Sequence, residues 1–141
     1  MIINCYYEVN RRPIPCRLLR QNIVRLCEIE NAKLSGEIRI IFVDDQRIQH
    51  LNEVYLQHDY PTDVIAFSLA ETAEALDGEV YVSVDRAADQ AQEYQISIQA
   101  ELWRLVIHGV LHLLGYNDQT ITWRQEMSRK EDLYLTKFDL K

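Results

Sequence analysis

His108, His112 and Asp118 have the residue types and the spacing of a metal site, in the pattern His-x-x-x-His-x-x-Gly-x-x-Asp. Residues four apart on an α-helix point within about 40° of one another. The two imidazoles therefore project side by side, as two ligands of one zinc ion at ~2.0–2.1 Å each require. Gly115 follows three residues after His112, and glycine readily takes the left-handed conformation that ends a helix and turns the chain. A chain reversing there swings the Asp118 carboxylate back toward the imidazoles. Three protein ligands leave one position for water, the catalytic rather than the structural arrangement. The spacing has the form of the metzincin pattern with aspartate in third place. For a lone His-x-x-x-His pair, two structurally satisfied histidines, or one exposed and one buried, are the competing reading. Against a peptidase stands Gly109, at the place where zincin peptidases carry their glutamate general base. A metal without that base can still acidify water and polarise a phosphoryl oxygen.

The elements that would position these residues follow from periodicity and caps. Ile2–Tyr7 reads as a strand, 11–15 as a turn, and 17–30 as a helix with Leu19, Ile23, Leu26 and Cys27 at helical spacing. Ser35-Gly36 breaks the chain before Glu37–Val43, where Ile38, Ile40 and Phe42 alternate onto one face of a strand. Asp44 or Asp45 caps a helix through Tyr55. Residues 58–63 form a polar loop, Val64–Ser68 a short apolar strand, and 71–77 an acidic hairpin loop. Gly78 opens a strand over 79–83, and 85–94 is an amphipathic helix. Ser97 is the expected N-cap of a helix over 98–114 that Gly115 ends. Thr122-x-x-Gln125 is a capping box for a last helix into Leu135. Four strands and about five helices, partly segregated, predict an α+β fold, a single domain over residues 1–141. Its helices pack on a four-stranded mixed sheet, with a zincin-like metal site on a central helix. The stretch 102–114 is apolar nearly all round, the mark of a buried helix. Trp103 and Trp123 fall in helical stripes and read as core rather than as base-stacking groups.

Composition narrows the function. The net charge of −7 argues against a broad, non-specific grip on nucleic acid, which needs many Lys/Arg–phosphate contacts. Arg11, Arg12, Arg17, Arg20 and Arg25 concentrate positive charge near the start, and one solvated helix face is the favoured reading over a phosphate patch. No apolar run reaches the ~18–20 residues of a membrane span. The first residues lack a basic n-region and a cleavage site, so a cytoplasmic protein is expected. Cys5, Cys16 and Cys27 form no Cys-x-x-Cys pair and are expected as reduced thiols, without a disulfide.

The segment His108-Gly-Val-Leu-His-Leu-Leu-Gly-Tyr-Asn-Asp118 resembles the signature His-Gly-x-x-His-Leu-x-Gly-Tyr-Asp-His of the YbeY family, bacterial rRNA maturation factors and endoribonucleases. Leu51-Asn-Glu-Val-Tyr55 followed by Asp59-Tyr-Pro-Thr-Asp-Val-Ile-Ala-Phe67 is similar to that family's Leu-Asn…Tyr-Arg…Asp-x-Pro-Thr-Asp-Val-Leu-Ser-Phe. Gly78-Glu-Val-Tyr-Val82 and Glu126-Met127 also resemble family segments, in order along the chain. The resemblance implies a zinc-dependent hydrolase specific for single-stranded RNA. It would act in 16S rRNA 3′-end maturation and ribosome quality control, with the ribosomal small subunit as partner and no membrane. The family's three zinc histidines fall on His108, His112 and Asp118, for one Zn²⁺ per chain.

Two departures from the family pattern stand out. Asp118 replaces a histidine, which makes the site less Lewis-acidic and leaves Mn²⁺ or another divalent ion open. Leu56 stands where the family has arginine, with His58 as a substitute or an ordinary loop histidine. Asp63 lies where the family borders its cleft; it either hydrogen-bonds near the metal or caps its loop. Asn117 orients Asp118 or shapes the turn, the turn role being favoured. The alternative function is a non-catalytic ribosome-assembly factor with a structural or vestigial metal site.

Overall fold

The computed structural model describes residues 1–30, 35–58, 62–72 and 75–141. Residues 59–61 of the Asp-Tyr-Pro-Thr-Asp segment, and 73–74 of the acidic loop, lie outside the described residues. Among the described residues the elements follow in the order β1 (Ile2–Tyr7), α1 (Cys16–Ile29), β2 (Glu37–Val43), α2 (Asp45–Leu56), β3 (Val64–Ser68), β4 (Gly78–Ser83), α3 (Val84–Tyr94), α4 (Ile98–Leu113) and α5 (Ile121–Lys137). The strands form one mixed sheet in the order β1-β2-β4-β3. β1 and β4 run parallel to β2, and β3 pairs antiparallel with β4. The α+β expectation, five helices on a four-stranded mixed sheet, is met.

The strand period sorts the apolar side chains onto two faces. Ile3, Ile38, Ile40, Phe42, Val80 and Val82 join the main core with Leu19, Ile23 and Leu26 of α1, the buried apolar residues of α4, and Met127, Tyr134 and Leu135 of α5. Ile41, Val43 and Ile65 take the other face, against Ile48 and Leu51 of α2. Burying each Leu- or Ile-sized side chain contributes roughly 1.5–3 kcal/mol. Ten residues of α4 are buried. It lies on β3 and β4 and is flanked by α3 and α5. No helix among the described residues is long and apolar enough to cross a membrane.

Side-chain caps mark the starts of α2, α3 and α4. Asp44, Ser83 and Ser97 accept from the backbone amides of Arg47, Arg86 and Ala100. The last helix departs from expectation. Its N-cap is Thr120, accepting from Trp123 N at 3.1 Å, two residues before the expected Thr122. The reason lies upstream: Asn117 Oδ1 accepts from Gln119 N at 3.1 Å, and this Asx turn delivers Thr120 in extended conformation. Trp103 is core, but Trp123 is exposed, with its ring edge-on to Tyr116. The arginine-rich start fits a solvated helix face with local partners. Arg20 donates to the Ile3 carbonyl, and Arg12 and Arg25 lie over the rings of Tyr7 and Phe138.

The cysteine expectation is corrected. Cys5 and Cys16 are joined by a disulfide with Cα atoms 5.7 Å apart. The turn between β1 and α1 folds the start of the helix back beside the strand, a proximity that the spacing of the two residues does not disclose. Cys27 is free and buried, and burial pushes its thiol up to about 11.

Candidate metal centre

The C-terminal end of α4 builds the site. Its backbone closes in a Schellman motif: Tyr116 N donates to Leu111 O and Gly115 N to His112 O, both at 3.1 Å. Gly115 has φ +105° with open space around its Cβ position, so backbone conformation alone selects glycine there. The turn returns Asp118 over the helix face that carries the two histidines. Asp118 Oδ2 then stands 3.7 Å from His112 Nε2 and 3.9 Å from His108 Nε2. The two Nε2 atoms are 3.1 Å apart. A tetrahedral ion with ~2.0–2.1 Å bonds needs ligand atoms about 3.3–3.4 Å from one another. The observed separations bracket that value, and donor atoms of all three residues lie within 4.8 Å of one another.

The neighbours of the two histidines also bear on their role as ligands. Burial, and then the facing His108 ring, hold His112 below the usual imidazole value, outweighing the opposite pull of Asp118. That direction favours the neutral ring, the form that can serve as a ligand. His108 Nδ1 lies 2.7 Å from Glu131 Oε2. A carboxylate accepts, so Nδ1 is the donor of this bond, and Nε2 is the ring nitrogen turned to the cluster. Two imidazole nitrogens and a carboxylate oxygen converging on one point fit a divalent cation.

Gly109 has a packing role beside its chemical one. A Cβ there would stand 2.4 Å from Val80 Cγ1 and 3.2 Å from Val64 Cγ2. The glycine lets α4 lie close on β3 and β4, so the position next to His108 has no room for a glutamate.

A cleft of about 470 Å³ opens beside the cluster, lined by Asn52, Leu56, His58, Thr62, His112 and Asp118 among others. Leu56 and His58 are brought to it by the end of α2, where Gln57 is left-handed and His58 N donates to Asn52 O. Asp63 is held elsewhere. Its Oδ2 accepts from Gln90 of α3 at 3.0 Å and its carbonyl from Ser83 N at 2.9 Å, the hydrogen bonding of a loop anchor. Asn117 shapes the turn through its Asx bond.

Sequence reading missed the residues behind His108. Glu131 is 5 % exposed, and Glu101 is fully buried. Arg104 joins them, with two bonds to Glu101 at 2.6 and 2.7 Å and one to Glu131 at 3.2 Å. The signal available was Glu101 and Arg104 themselves, charges on an otherwise apolar helix that must find partners when buried. Nothing on polar α5 singled out Glu131.

The sequence profile of the family described as Endoribonuclease YbeY matches residues 8–139. A relative of that description from Amoebophilus asiaticus is 42 % identical over 136 residues, covering 94 % of this chain and 91 % of its own. One from Salinibacter ruber is 37 % identical, covering 88 % and 83 %. One from Bacillus cereus is 35 % identical, covering 87 % and 86 %. Among solved structures, a solution structure of a Thermotoga maritima protein superposes with a TM-score of 0.63 at 25 % identity, covering 98 % of this chain and 92 % of that one.

Proposed function

The chain belongs to the endoribonuclease YbeY family, and from that premise we propose that it is a zinc-dependent endoribonuclease specific for single-stranded RNA. It acts in the cytoplasm, in 16S rRNA 3′-end maturation and ribosome quality control, on the small subunit. The observation that carries the reading is the convergence of His108 Nε2, His112 Nε2 and Asp118 Oδ2 at the edge of an open cleft. A bound zinc-class ion supplies a Lewis acid for a phosphoryl oxygen and lowers the pKa of water toward neutrality.

The residues of the chain divide the remaining work. His108 and His112 hold their lone pairs in place on a buried helix, and Asp118 adds charge from the turn. The cleft admits a strand between α2 and the turn. His58 and Thr62 offer polar contacts to a phosphate there, and Asp63 keeps the loop before β3 in position through Gln90. Gly109 offers no carboxylate for peptide hydrolysis, which supports RNA over peptide as substrate.

Elemental analysis and a single-stranded RNA cleavage assay test the reading together. About one zinc-class ion per chain is expected, with cleavage abolished by chelation and in His112→Ala. Metal-free wild type, or cleavage that survives both treatments, refutes it. A second reading, a non-catalytic assembly factor, is favoured by Leu56, which presents an apolar surface to the cleft where the family pattern has arginine. It predicts small-subunit binding that survives loss of metal, with no cleavage.

A further inference from the structure

We infer that Glu131 is the positioning residue of the metal centre, fixing the tautomer and direction of the His108 ring from α5; the inference rests on the metal-site reading above. Positions 101, 104, 108 and 112 recur at helical spacing and draw one polar stripe along apolar α4. Glu131 faces that stripe from the neighbouring helix and divides its two oxygens. Oε2 accepts from His108 Nδ1 at 2.7 Å, and Oε1 accepts from Arg104 Nη1 at 3.2 Å. Arg104 is itself locked by two bonds to buried Glu101. The chain Glu101–Arg104–Glu131–His108 therefore leaves the imidazole little freedom to rotate.

Glu101, Glu131 and Asp118 bring three carboxylates to this stripe and the turn beside it, with Arg104 bonded to the first two and Arg124 donating to the Asp118 carbonyl at 3.2 Å. A carboxylate bonded to the far nitrogen of a ligand imidazole fixes which nitrogen faces the metal position. Glu131 touches no donor atom of the centre directly and acts through His108.

The test uses the full chain as wild type, Glu131→Ala and Glu131→Gln, with two readouts independent of RNA cleavage. The first is the His108 tautomer, read by long-range ¹H–¹⁵N NMR on metal-free protein. Wild type is expected to carry its proton on Nδ1, and Glu131→Ala to lose that preference. The second is zinc affinity against a competing chelator. It is expected to fall by about 10–100-fold in Glu131→Ala and by about tenfold in Glu131→Gln, which keeps a neutral acceptor. A wild-type His108 protonated on Nε2 overturns the inference. So does a folded Glu131→Ala with unchanged zinc affinity or, where that variant fails to fold, a Glu131→Gln with unchanged affinity. Wild type that binds no zinc refutes the metal-site reading instead, and the tautomer readout still judges Glu131 by itself.

Discussion

The Tyr116 hydroxyl donates to Glu30 Oε1 at 2.6 Å, tying the turn after α4 to the end of α1 across 86 residues of sequence. Glu30 also accepts from Lys130 Nζ at 2.8 Å and from the Tyr134 hydroxyl. Tyr116 is two residues from Asp118, so this bond helps hold the turn that delivers the carboxylate. Tyr116→Phe removes only the hydroxyl. A hydrogen bond to a charged acceptor is worth about 1.5–3 kcal/mol. Urea denaturation should show a loss of that size, and zinc affinity should fall with it. Unchanged affinity would mean the Schellman turn alone places Asp118.

Acid should unpick the same cluster. Burial pushes the Glu30 carboxyl up, but hydrogen bonds from Lys130, Tyr116 and Tyr134 together outweigh it and hold the group below its ordinary 4.5. A carboxyl with a lowered folded-state pKa adds stability that is fully present above its unfolded value and is lost as pH falls through the folded value. Urea midpoints measured from neutral pH downward should therefore separate wild type from Glu30→Gln most at neutral pH. The gap should narrow below 4.5. A constant gap would contradict the ionic role of Glu30.

Gly109 predicts a stability cost without loss of any polar group. A methyl at 109 meets Val80 Cγ1 at 2.4 Å, and Val80 is a buried, β-branched side chain with little room to turn. Overpacking of this kind costs about 1–3 kcal/mol. Gly109→Ala should lower the thermal midpoint and, by lifting α4 from β4, weaken zinc binding at His108. A variant as stable as wild type would show that the sheet yields more easily than its packing suggests.

How legible all this was in the sequence depends on the range of each interaction. The strands and helices were legible because their signals are local: alternation in Glu37–Val43, caps at Asp44 and Ser97, and the glycine stop at 115. The His108–His112–Asp118 cluster was legible because one helix and one turn carry all three. Thr120 was misplaced because two threonines offer a cap, and only the Asx turn at Asn117 chooses between them. Glu131 was invisible because its partner lies 23 residues away on another helix. The Cys5–Cys16 bond was missed for a similar reason: strand and helix meet only after the intervening turn has folded.

Leu56 offers a gain-of-function test. It lines the cleft and is 43 % exposed, so an arginine side chain there can extend into open space. A guanidinium beside the scissile phosphate would stabilise charge that develops in the transition state. If the chain is a nuclease, Leu56→Arg should raise kcat/KM on single-stranded RNA about tenfold, equivalent to ~1.4 kcal/mol. Wild-type and variant proteins equally inert toward RNA would favour the assembly-factor reading.

Asp118 is the final and sharpest test, because it is where the chain leaves the His-Gly-x-x-His-Leu-x-Gly-Tyr-Asp-His pattern. Its carboxylate is about half exposed and stands slightly farther from each imidazole than they stand from each other. An anionic oxygen donor lowers Lewis acidity and suits a harder ion, whereas a third imidazole favours zinc. Asp118→His should keep one ion per chain while shifting competition between Mn²⁺ and Zn²⁺ toward Zn²⁺. Asp118→Ala should lose about 2–3 kcal/mol or more of zinc binding, roughly 100-fold, if the carboxylate is a direct ligand. Isothermal titration with both ions on all three proteins separates the outcomes. If alanine binds zinc as tightly as wild type, Asp118 is a bystander on the turn and the centre is a two-histidine site. If histidine alone restores tight zinc binding, the aspartate marks a centre tuned away from zinc, and the RNA assay should then be run with Mn²⁺.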